Sequence, residues 1–78
     1  MPYATTNALP ISVRHALPQH AQNIYRAAFN SAYESYRGSP RREEIAHRVA
    51  WAAVKKRYVK RVGQWYDRSA VAAVPAYV

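Results

Sequence analysis

The sequence predicts a small, mainly α-helical domain with one short helix, two long antiparallel helices and a two-stranded sheet joining the N- and C-terminal segments. Three observations predict it. Leu-Pro occurs twice, at Leu9-Pro10 and Leu17-Pro18, and each proline forces the residue before it out of the helical region and suits the start of the helix after it. Apolar residues then recur at steps of three and four from Ala21 to Tyr36. A second helical stretch, Ser39 to Arg61, opens on Ser-Pro and two acids and closes on a cluster of cations.

Taken in order, Tyr3 to Thr6 is short and partly β-branched and suits an edge strand. Asn7 and Pro10 then open a short helix, roughly Pro10 to Ala16. After the break at Leu17, a face of Ala21, Ile24, Tyr25, Ala28, Phe29, Ala32, Tyr33 and Tyr36 points to the core. Gln22, Asn23, Arg26, Asn30 and Glu34 take the other side. Gly38 supplies a left-handed end to this helix.

Ser39 caps the next helix and Pro40 occupies its first position, while Glu43 and Glu44 meet the positive end of the dipole. Ala46, Val49, Ala50, Ala53 and Val54 form its core stripe, flanked by Trp51 and Tyr58, and the alanines permit close approach to the preceding helix. Val62-Gly63-Gln64 breaks the pattern. Trp65-Tyr66 then suits a second strand, to be paired with Tyr3 to Thr6.

The chain has 78 residues, so a single domain over 1–69 is expected, with a flexible tail over 70–78 where an internal proline and a lack of periodicity argue against packing. No cysteine is present, which excludes disulfides and thiolate metal sites and suits a reducing, cytoplasmic setting. The first residues lack a charged leader followed by an apolar block, so no signal peptide is expected.

A formal net charge of +8 directs attention to polyanionic partners. Arg41, Arg48 and Lys55, spaced by seven, lie on nearly one line of the long helix, away from its core stripe. With Arg42, Lys56, Arg57, Lys60 and Arg61 they make a candidate nucleic-acid-binding surface, interleaved with Tyr58, Trp65 and Tyr66. Such a surface contacts phosphate and carries no base-reading fork, so weak, salt-sensitive and largely non-specific DNA binding is expected. Membrane-surface binding ranks below it, because no exposed apolar face adjoins the lysines.

Catalysis is not expected. Glu34, Glu43, Glu44 and Asp67 are the only acids, and Glu43 and Glu44 have a role at the helix start. No nucleophile-base pair, phosphate loop or cofactor motif is present. His15, His20 and His47 match no zinc spacing, so neither a metal nor a cofactor is expected, and the histidines are assigned structural roles. His47 is placed at the edge of the core face.

The blocks MPYATTNALPISVRHALPQHAQNIYRAAFNSAY and EEIAHRVAWAAVKKRYVK resemble the ChaB family over about Met1 to Lys60. The resemblance implies three helices with a small sheet, similar to part of a cyclin-box fold. It also implies two functional expectations. Bacterial members are named for regulating a cation/proton antiporter, while viral relatives are described as DNA-binding proteins, which would place such a protein in the host nucleus. A membrane transporter or another acidic protein is therefore the alternative partner. The bacterial type carries a long acid-rich loop between its major helices, associated with weak divalent-cation binding. Here the connection is Arg37-Gly38-Ser39-Pro40-Arg41-Arg42, which offers no carboxylate to a hard cation.

Overall fold

The computed structural model describes residues 2–68; the domain boundary at 69 and the expected tail over 70–78 lie outside the described residues. The class is as predicted, three helices and a small two-stranded antiparallel sheet. A 3-10 turn at Thr6–Ala8 leads into α1 (Ile11–Ala16), α2 (Gln19–Ser35) and α3 (Arg42–Arg57), followed by β1 (Tyr58–Arg61) and β2 (Gln64–Asp67).

Both Leu-Pro steps end one element and start the next. Leu17 is extended, at φ −113° and ψ 139°, as the following proline requires. Its side chain is buried, and its carbonyl accepts from Gln22 Nε2 at 2.9 Å, so the break between α1 and α2 leaves no polar group stranded. The deepest core follows a step of four on both sides of the fold. Leu9, Val13, Leu17, Ala21, Tyr25 and Phe29 form one buried row, and Ala46, Ala50, Val54 and Tyr58 form the other.

Ala46 and Ala50 are fully buried. Their small side chains admit the α2 rings against the α3 backbone, and Tyr25 meets Trp51 edge-on with centroids 5.3 Å apart. Two members of the expected stripes fall outside these rows. Tyr36 is 46% exposed, lying just beyond the end of α2, and Val49 is 38% exposed, off the step-of-four row of Ala46, Ala50 and Val54. Both line a shallow groove with Ala28, Ser31, Ala32 and Ser35.

The sheet has different partners from those expected. β1 and β2 form a hairpin with register Tyr58↔Asp67, Val59↔Tyr66, Lys60↔Trp65 and Arg61↔Gln64. The expected strand at Tyr3 to Thr6 does not form, because α2 side chains hold the backbone of Tyr3 and Ala4 while the 3-10 turn takes the carbonyls of Thr5 and Thr6. Tyr3 N–H donates to Asn30 Oδ1 at 3.1 Å, and Asn30 Nδ2 donates to Tyr3 O at 2.9 Å. Arg26 Nη1 donates to the carbonyls of Tyr3 and Ala4. The Tyr3 ring then covers Phe29, with centroids 4.7 Å apart.

The long helix accordingly ends at Arg57 and not at Arg61. Tyr58 turns extended, and the two-residue turn Val62-Gly63 has positive φ at both positions, 51° and 78°. That is the backbone that suits the twist of a tight hairpin. Glycine adopts it freely, whereas a β-branched residue there bears about 1–2 kcal/mol of strain.

The junction of the long helices also differs in detail. Gly38 does not have a positive φ, and α2 closes at Ser35 with Tyr36 as its end residue. Ser39 does not cap α3. Its Oγ accepts from Arg41 N–H at 3.1 Å, and its carbonyl accepts from Arg42 N–H at 3.2 Å, which builds a turn ahead of a helix that starts at Arg42. Pro40 lies in that turn, outside the helix.

A basic surface on helix α3 and the hairpin

The eight cations of the predicted surface divide by what they already hold. Arg42 is committed to the fold. Its guanidinium stacks 3.6 Å over the Tyr33 ring, and Nε and Nη2 donate to Tyr33 O at 3.1 and 2.8 Å. It thereby satisfies a carbonyl near the end of α2 while pinning the start of α3.

Arg41 and Arg48 flank Glu44, at 3.8 and 3.1 Å. This carboxylate therefore does more than meet the helix dipole. All three side chains are largely exposed, and such pairs are worth about 0–1 kcal/mol, so an anionic partner can displace them. Arg57 lies 3.5 Å from Asp67 and ties the end of α3 to β2. Lys55, Lys56, Lys60 and Arg61 are exposed and make no ion pair among the described residues.

Lys60 and Arg61 belong to β1, so the positive charge leaves the helix and continues onto the hairpin. The hairpin also returns a further cation to this surface. Arg68 follows β2 and donates from Nε to Lys55 O at 3.0 Å, beside the last turn of α3. Only the β1–β2 pairing reveals it, since position 68 then falls opposite position 57. Along α3, Arg48 and Lys55 are separated by roughly 10 Å of helix axis.

Of the interleaved aromatics, Tyr58 is core, Trp65 is half-buried against Trp51 with centroids 5.8 Å apart, and Tyr66 is 44% exposed. Burial raises the Tyr58 hydroxyl pKa; Asp67 raises it further, and Arg57 opposes. His47 lies within the core edge as expected. Its Nδ1 is hydrogen-bonded to the Tyr25 hydroxyl and its ring lies 4.6 Å from Phe29. Burial pushes the Tyr25 hydroxyl up to about 12, so it remains a neutral phenol at ordinary pH and no general base.

His15 and His20 are exposed, and among the described residues no three histidine or acidic side chains gather as metal ligands. The arrangement can attract anions and hold a partner, and nothing in it assembles a nucleophile with a base. No described helix is long and apolar enough to cross a membrane.

Comparison with known proteins agrees with this architecture. The sequence model of the ChaB family matches residues 9–68. A protein of Escherichia coli K12 named "Putative cation transport regulator ChaB" is 51% identical over 76 residues, covering 88% of this chain and 100% of that protein. A protein of the same name from Shigella flexneri is equally similar over the same extent. The solution NMR structure of a protein of that name superposes with a TM-score of 0.77 at 49% identity, covering 85% of this chain and 97% of the other.

Proposed function

The chain belongs to the ChaB family, and we propose that it is a non-enzymatic accessory protein that regulates cation transport by docking on an acidic surface of a cation/proton antiporter. The observation that carries this reading is identity of 51% across the whole length of a relative named for cation transport regulation. The surface offered to the partner is the outer line of α3, Arg41, Arg48 and Lys55, together with Lys56, Lys60, Arg61 and Arg68 of the helix end and hairpin. Cations of this kind set the rate and register of docking on a complementary acidic patch.

Nucleic-acid binding through the same cations draws its support from charge alone. Arg42 is held by Tyr33 and Arg57 lies beside Asp67, which lowers the number of groups free for a phosphate backbone. The relatives' names point toward transport.

Immobilised full-length protein should retain a detergent-solubilised cation/proton antiporter at low salt, and the double substitution Arg48→Glu, Lys55→Glu should release it. Failure to retain the antiporter, with duplex DNA held instead at physiological salt, would overturn the proposal in favour of nucleic acid.

A further inference from the structure

We infer that the β1–β2 hairpin is a docking element for an anionic bilayer surface, with Val62 entering the interfacial region while Lys60, Arg61, Lys55 and Arg68 engage lipid headgroups. This goes beyond the transporter reading and needs no transporter.

The tip is the first observation. Val62 is 101% exposed and holds a φ of 51°, so in the free protein it bears backbone strain and gains no packing in return. Asparagine or glycine would close the same turn with less strain. A strained, fully exposed apolar residue at the end of a projecting turn is explained when something outside the molecule buries it.

The rest of the hairpin fits a lipid interface. Its inner face is occupied at Tyr58, which is buried, and Trp65, which packs toward Trp51, while Lys60 on that face remains exposed near the tip. Strand alternation turns Val59, Arg61, Gln64 and Tyr66 to the other face, where Tyr66 is 44% exposed. An amphipathic aromatic ring beside an apolar tip suits the depth of lipid headgroups.

Charge complementarity selects the lipid. Lys60 and Arg61 immediately precede the tip, and Lys55 and Arg68 meet at its base, where Arg68 Nε donates to Lys55 O. Basic residues at a bilayer surface favour anionic headgroups. A phosphate backbone would use the cations and leave Val62 in water, whereas a bilayer uses both. The exposed apolar group that adjoins the lysines is thus supplied by the turn.

Co-sedimentation of the full-length protein with phosphatidylcholine vesicles, with and without phosphatidylglycerol, tests the inference. Wild-type protein should prefer the anionic vesicles by at least about ten-fold, ~1.4 kcal/mol. Val62→Asn preserves the left-handed turn and should weaken that binding by about ten-fold with no loss of thermal stability. Lys60→Glu with Arg61→Glu should abolish it. The inference is overturned if Val62→Asn binds as wild type, if neutral and anionic vesicles bind alike, or if the protein binds duplex DNA and neither vesicle.

Discussion

The Tyr25 hydroxyl is hydrogen-bonded to His47 Nδ1 across the interface of the two long helices, one polar contact in the middle of an aromatic cluster. Burial keeps the phenol protonated, so the contact joins an uncharged hydroxyl to a ring nitrogen inside the core. Removing one partner strands the other in the core. Tyr25→Phe should therefore lower unfolding free energy by about 1–2 kcal/mol in urea titration at neutral pH, despite conserving the ring.

The same hydroxyl makes the fold sensitive to alkali. Its pKa is about 12 when folded against an ordinary value of 10.0, so the folded state holds the proton more tightly than the unfolded chain. This contribution to stability is complete below pH 10 and is lost progressively between 10 and about 12. The melting temperature should fall across that window. Tyr25→Phe should flatten the fall without removing it, because burial also raises the Tyr3 and Tyr58 hydroxyls.

Phe29 touches Tyr3, Tyr25, Tyr33 and His47, and only 1% of it is exposed. Phe29→Ala should destabilise by about 3–5 kcal/mol, enough to unfold a large fraction of so small a domain at ambient temperature. Loss of near-ultraviolet circular dichroism would register it.

Arg42 and Arg48 look alike in sequence and should behave differently. Arg42→Lys loses the planar stack on Tyr33 and the paired donation to its carbonyl, and should cost about 1–2 kcal/mol in thermal denaturation. Arg48→Glu acts at an exposed position and should shift stability by about 1 kcal/mol or less, while weakening retention of an acidic partner.

Val62→Gly should raise stability slightly, by about 1 kcal/mol or less, because relief from strain is offset by the extra freedom glycine has when unfolded. Calorimetry of the two proteins side by side would measure it.

Helix number, both proline breaks and the location of the core were legible because they rest on local rules, namely the conformational limits of proline and the step of three or four. The hairpin was not. Lys60 and Arg61 are good helix formers, and Tyr58-Val59 sits four residues past a helical core row, so the helix pattern reads straight through β1. The available signal was Val62-Gly63 between Tyr58-Val59 and Trp65-Tyr66, two residues flanked by β-prone pairs. The fate of Tyr3 to Thr6 was hidden for a different reason. Its competitor for the backbone is a pair of side chains, Asn30 and Arg26, more than twenty residues away. Among the basic residues, charge marked the surface, and only geometry separated Arg42, which braces the helices, from Lys55, Lys56, Lys60 and Arg61.

The fully buried Ala46 and Ala50 set apart two sides of α3 with different freedom to vary. On the inner row any added atom pushes two helices apart, so drift there is closed off. On the outer line Arg48, Ala52 and Lys55 are exposed, and replacement alters little besides the charge presented. A domain built this way can be re-addressed. Lineages could change the partner it meets, or a designer could graft a new pattern onto it, by rewriting one side of a single helix while the other keeps the fold unchanged.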